Sequence, residues 1–195
     1  MRRPACPSRQ VLGVVGVSAA LLFALSATAP VSYAEVPGPL FTLVDAAAQR
    51  LQTADAVAAS KWTTGGSIED PARERQVIDA VTAVAKEKGV DPFYVERAFR
   101  DQIDATVAVE YALFSEWKLD PLKAPTAAPN LSESRGAIDA LNQTMVAEVA
   151  AQWEWLHSST CATDLDAARA AVVGERNLDP LYQRALAYAT RSYCQ

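Results

Sequence analysis

Apolar residues recur every three or four positions through most of this chain, which is the spacing of amphipathic helices. Between Leu40 and Thr63, for example, Leu43, Ala47, Ala54 and Val57 define one stripe that would face a core. No stretch alternates between apolar and polar residues as a half-buried strand would. The pattern therefore predicts an all-α fold, a single-domain bundle of about six helices.

Helix start and stop signals divide the chain into these six segments. At three of the predicted helix starts an aspartate is followed at once by proline, an N-cap followed by a residue suited to the first helical position. Asn130 with Glu133 gives a fourth start, Ser67 offers an alternative start for the second helix, and Gly89 is a stop signal. The predicted helices span residues 40–63, 70–88, 91–118, 130–156, 162–174 and 179–193.

The N-terminal segment has the pattern of a secretory signal peptide. Three arginines precede an apolar run from Val11 to Ala27, and Ser32-Tyr33-Ala34 resembles a small-residue cleavage site. We expect residues 1–34 to be removed and residues 35–195 to form the domain, exported to the envelope or the medium and not held in a membrane. Removing three arginines and no acidic residue changes the net charge from −5 to −8, which disfavours nucleic acid as a partner.

Two cysteines remain in the predicted mature chain. Cys161 and Cys194 form an even pair in what would be an oxidising compartment, so we expect a disulfide between them, with two free thiols as the alternative.

Several charged residues occupy stripe positions where apolar side chains are expected. Arg50 and Lys61 fall on the stripe of the first helix, about three turns apart. Glu110 is in register with the buried face of the third helix, and Thr106 precedes it by one turn. Each alone could lie at the edge of the bundle, but unpaired buried cations are costly. With Arg73 and Arg135, they predict a cation-rich core pocket that binds a small polyanion.

The sequence argues against most of the usual catalytic groups. His157 is the one histidine, and Glu154-x-x-His157 lacks the second motif that a di-iron bundle requires, so no metal is expected. Neither a nucleophile motif nor a phosphate-binding glycine loop is present. A pocket of this kind can still catalyse a reaction that needs only a reactive bound conformation and stabilisation of developing charge. A pericyclic rearrangement of a dicarboxylate fits that description.

These residues resemble a known family, the all-helical AroQ-type chorismate mutases, and in particular the secreted gamma class of mycobacteria and related bacteria. The resemblance covers nearly all of the predicted mature chain, and the spacings Arg50–Lys61–Arg73 and Thr106–Glu110 match its catalytic pattern. The segments that carry it are Leu-Val-Asp-Ala-Ala-Ala-Gln-Arg-Leu at 43–51, Val-Ala-Ala-Ser-Lys-Trp at 57–62, Ile-Glu-Asp at 68–70, Asp-Gln-Ile at 101–103 and Ser-Arg at 134–135.

The resemblance implies conversion of chorismate to prephenate by a Claisen rearrangement, without a cofactor. By that similarity, Arg50, Arg73 and Arg135 would hold the two substrate carboxylates and nearby oxygens. Lys61 and Glu110 would flank the ether oxygen. Lys61 favours the ionised form of Glu110, but we expect burial and the anionic substrate to keep Glu110 protonated in the complex. Thr106 and Asp70 would complete the polar wall.

Two expectations about the substrate and the assembly accompany the resemblance. Secreted members look to have glutamine where this chain has Val77; Glu74 or Gln76 would then contact the substrate hydroxyl, or that contact would be missing. A homodimer is expected, with a complete site in each chain. The competing interpretation is a non-catalytic exported bundle, a ligand-binding or chaperone-like module on the same scaffold.

Overall fold

The computed structural model describes residues 38–194, and these residues form helices and connecting turns without a strand. The helices are α1 Phe41–Gln52, α2 Ala54–Thr64, α3 Pro71–Glu87, α4 Pro92–Leu119, α5 Leu131–Ala151, α6 Trp153–Leu156, α7 Cys161–Glu175 and α8 Pro180–Ala189, with a 3-10 turn at Pro121–Lys123. The all-α prediction is confirmed. The predicted signal peptide, residues 1–34, lies outside the described residues.

The first predicted helix is two helices, α1 and α2, separated at Thr53. The backbone N–H and the hydroxyl of Thr53 both donate to the carbonyl oxygen of Arg50, three residues back, at 3.2 and 2.7 Å. This local bonding interrupts the regular ladder of an α-helix. The ladder resumes with the N–H of Val57 donating to the carbonyl of Thr53, so the chain continues in a new helix.

The predicted capping residues begin four of the helices. The side chains of Asp70, Asp91, Asn130 and Asp179 each accept a hydrogen bond from a backbone N–H two or three residues later. At the second helix the cap is Asp70, not the alternative Ser67. Gly89, at φ +71°, ends α3 in the left-handed conformation that favours glycine.

The core is built around α1 and the long helix α4. α1 packs against α5, α7 and α8, while α4 packs against α2, α3 and α8. Leu43, Val44 and Leu51 of α1 are fully buried, as are Val95 and Phe99 of α4. This packing leaves the second half of α4 facing α2, α3 and α5, where the polar stripe residues lie.

The predicted disulfide is confirmed. Cys161, the first residue of α7, is bonded to Cys194 at the C-terminal end of the described chain. The two residues are 33 apart in sequence, and closing a loop of that size stabilises the fold by about 3–4 kcal/mol on the chain-entropy model. The bond fixes the segment after α8, including the buried Tyr193, against the core.

Candidate active site

A cleft lies between the helices that carry the polar stripe residues. Every cation predicted for the pocket lines it. The cleft is bounded by the end of α1 with α2, by the start of α3, by α4 and by the first turns of α5. Its lining residues are Arg50, Val57, Lys61, Ile68, Asp70, Arg73, Glu74, Val77, Ile103, Thr106, Val107, Glu110, Arg135 and Ile138. The polar groups are therefore set among apolar side chains, which strengthens their electrostatic interactions with a bound ligand.

Arg50 is the buried cation of the cleft, with 5% of its surface exposed. Its Nε donates to Oδ1 of Asn142 at 2.7 Å, and its Nη1 donates to the hydroxyl of Thr106 at 3.3 Å. Burial lowers its pKa to about 10, so the guanidinium still carries its charge at neutral pH. No carboxylate pairs with it among the described residues, and its charge remains available to an anionic ligand.

Lys61 and Glu110 form an ion pair from α2 to α4, with Nζ and Oε2 2.7 Å apart. Nζ also donates to the carbonyl oxygen of Ile68 at 2.5 Å. Burial raises the pKa of Glu110 above its ordinary value, and the hydrogen bond and charge of Lys61 oppose that rise. Because the two groups touch, one oxygen atom of a ligand can lie within hydrogen-bonding distance of both.

Arg73 and Arg135 are the cations of the rim. Nη2 of Arg73 lies 2.6 Å from Oδ1 of Asp139, and Nη1 donates to Oε1 of Gln76 at 2.8 Å. Arg135 is exposed and makes no side-chain hydrogen bond or ion pair within residues 38–194. Its guanidinium is therefore available to an anionic ligand in the cleft. The rim thus supplies one cation that neighbouring side chains hold in place and one that no side chain of residues 38–194 holds.

The remaining predicted residues divide into those inside the cleft and one outside it. Asp70, Glu74 and Val77 line the cleft, and Oδ1 of Asp70 also accepts the N–H of Arg73 as the cap of α3. Gln76 is not a lining residue. It is exposed, and its Oε1 accepts a hydrogen bond from Nη1 of Arg73. Of the two candidates for the hydroxyl contact, Glu74 is therefore inside the cleft and Gln76 is outside it.

Two residues of α5 that the sequence analysis did not assign to the site hold its arginines. Asn142 contacts Arg50, and Asp139 contacts Arg73. Asn142 carried a usable signal, because it is in helical register with the stripe residues Ile138, Met145 and Val149, where an apolar residue is expected. Asp139 carried none, since an exposed aspartate on a helix is ordinary.

His157 lies elsewhere in the fold. It follows α6, and its ring packs at 4.1 Å between centroids on Trp153, outside the cleft. Across the described part of the chain, no three His, Cys, Asp or Glu side chains are grouped closely enough to hold a metal ion. Nor is any helix within residues 38–194 both long and apolar enough to cross a membrane.

Comparison with known proteins gives consistent matches. The profile of the family "Chorismate mutase type II" matches residues 42–111. The chain is 58% identical over 166 residues to a protein of Mycolicibacterium smegmatis named secreted chorismate mutase, covering 85% of this chain and 92% of that protein. A protein of the same name from Mycobacterium tuberculosis is 46% identical over 189 residues, covering 96% and 95%.

Solved structures agree with the sequence relatives. A crystal structure of chorismate mutase from Burkholderia thailandensis superposes with a TM-score of 0.76 at 32% identity, covering 80% of this chain and 99% of that one. A chorismate mutase from Burkholderia phymatum gives the same TM-score at 31% identity, covering 80% and 96%. The chain belongs to the chorismate mutase type II family.

Proposed function

We propose that the cleft lined by helices α1 to α5 is the active site in which this chorismate mutase rearranges chorismate to prephenate. The observation that carries the assignment is the meeting of Arg50, Lys61 and Glu110, from three different helices, in one largely apolar cleft. A non-catalytic dicarboxylate-binding module would need the arginines but not a lysine and a buried acid directed at one point.

The chemistry requires little from the protein beyond placement and charge. In the rearrangement the ether C–O bond breaks while a new C–C bond forms within the same molecule, so no atom or proton is exchanged and no cofactor is needed. Negative charge develops on the ether oxygen as its bond breaks. Nζ of Lys61 and a protonated Glu110 would both donate to that oxygen, which lowers the barrier because the interactions strengthen in the transition state.

The arginines would hold the substrate in the folded conformation that reacts. Arg50 would bind one carboxylate inside the cleft, and Arg135 with Arg73 would bind the other at the rim. Thr106 and Asp70 would complete the polar wall. For the substrate hydroxyl, Glu74 is the better placed acceptor, since it lines the cleft and Gln76 does not.

The assembly and the location extend the proposal. Arg135 lines the cleft together with the other cations of this chain, which supports a complete site in each chain, and we expect a homodimer whose mass light scattering would measure. The relatives named above are called secreted, and residues 1–34 have the pattern of a signal peptide. We therefore expect cleavage after Ala34 and export, which the N-terminal sequence of the exported protein would test.

The function is tested by following the loss of chorismate ultraviolet absorbance with the purified, oxidised chain beginning at Glu35. We expect turnover by the wild type and a fall in kcat of about 10²–10³-fold in Lys61→Ala, because one donor to the developing oxyanion is lost. Lys86→Ala, which removes an exposed lysine of α3, should leave the rate unchanged. A folded wild-type protein without turnover, or a fully active Lys61→Ala, would contradict the proposal.

A further inference from the structure

The buried contact between Asn142 and Arg50 lies one step away from the ligand space of the cleft. Asn142 is 4% exposed and is not a lining residue, whereas Arg50 lines the cleft. The two side chains meet through Nε of Arg50 and Oδ1 of Asn142 at 2.7 Å. Because arginine can only donate hydrogen bonds, the amide must turn its oxygen toward the guanidinium.

This contact restricts how Arg50 can bind a carboxylate. A guanidinium offers two forks for bidentate binding, one formed by Nε with an Nη and one formed by the two Nη atoms. The oxygen of Asn142 occupies Nε, so the first fork is closed. The hydroxyl of Thr106 accepts a hydrogen bond from Nη1 and donates one to the carbonyl oxygen of Gln102 at 2.8 Å. Both Nη groups still have hydrogens for a ligand.

Helix α5 contacts the second arginine, Arg73, with a charged side chain instead of a neutral one. Three residues before Asn142, Asp139 pairs with Arg73, and the Asp139 side chain is 56% exposed. At that rim position solvent screens the pair, so the ion pair is weak. At the buried position an aspartate would neutralise Arg50 in a low-dielectric site. A neutral acceptor orients the guanidinium and leaves its full charge for the substrate.

From this geometry we propose that Asn142 is a positioning residue, which fixes the Nε edge of Arg50 and leaves the Nη edge as the binding fork for a substrate carboxylate. The inference rests on the proposed function, since the carboxylate is that of chorismate. Asn142 acts through Arg50 and does not touch the substrate itself.

Two substitutions test separately the acceptor oxygen of Asn142 and its lack of charge. Asn142→Leu keeps the branched shape of the side chain but removes the acceptor, and we expect kcat/KM to fall at least tenfold. Asn142→Asp keeps the acceptor and adds a charge that competes with the substrate, so KM should rise at least tenfold while kcat changes less than threefold. Gln143→Leu, at the neighbouring exposed position of α5, should match the wild type in both constants.

A double-mutant cycle distinguishes positioning from support of the fold. In an Arg50→Lys background, which has no guanidinium to orient, Asn142→Leu should cost less than threefold in kcat/KM. Full additivity of the two changes, or wild-type KM in both Asn142 variants, would overturn the inference. Failure of the proposed function would look different, because the wild-type enzyme itself would then show no turnover.

Discussion

At the scale of single residues, the proposed chemistry of the cleft depends on the proton of Glu110. The residue is 3% exposed, and its Oε2 lies 2.7 Å from Nζ of Lys61. Burial favours the protonated form, while the lysine favours the carboxylate. An anionic substrate arriving in the cleft would add to the effect of burial. Only the protonated form can donate a hydrogen bond to an ether oxygen.

The activity should therefore fall as the pH rises through the raised pKa of Glu110, because the proton donor is lost. A glutamine at position 110 donates through its amide at every pH, so Glu110→Gln should flatten this limb of the kcat/KM profile. Glu116→Gln, on the exposed part of the same helix, should keep the wild-type profile. A falling limb that persists unchanged in Glu110→Gln would mean that another group titrates.

At the scale of helices, the start of α3 connects stability to the site. Oδ1 of Asp70 accepts the backbone N–H of Arg73 at 3.0 Å, so the residue that lines the cleft also begins the helix. A side-chain cap of this kind satisfies one of the N–H groups that the first turn leaves without a partner. The cap thereby fixes the backbone from which Arg73 reaches the rim.

Replacing the cap should lower stability in a way that serine reverses. We expect Asp70→Ala to reduce the free energy of unfolding by about 1 kcal/mol in urea titrations, and Asp70→Ser to restore most of it, because serine is also a good cap. Equal destabilisation by both changes would show that capping is not the cause. A stable Asp70→Ser with reduced turnover would assign the carboxylate a separate part in binding.

Across the whole molecule, the sequence predicted the members of the cleft better than their partners. The charged residues at apolar stripe positions, Arg50, Lys61 and Glu110, share helix faces with buried apolar residues, and this periodicity within each helix predicted their place in the cleft. Asn142 and Asp139 act on particular arginines, and that pairing depends on where α5 crosses α1 and α3, which periodicity within one helix does not contain. The periodicity also did not predict the break between α1 and α2 at Thr53. A threonine inside a helix donates to a carbonyl of the preceding turn only in some contexts, and periodicity does not contain that information.

The most direct test of the account is a crystal structure of the oxidised protein with prephenate bound. We predict one carboxylate of the product at the two Nη atoms of Arg50, about 2.8 Å away, with Asn142 still on Nε and the second carboxylate at Arg135. The keto oxygen of prephenate, which was the ether oxygen of chorismate, should lie beside Lys61 and Glu110. Prephenate bound outside this cleft, or inside it without contact to Arg50 and Lys61, would contradict the central claim.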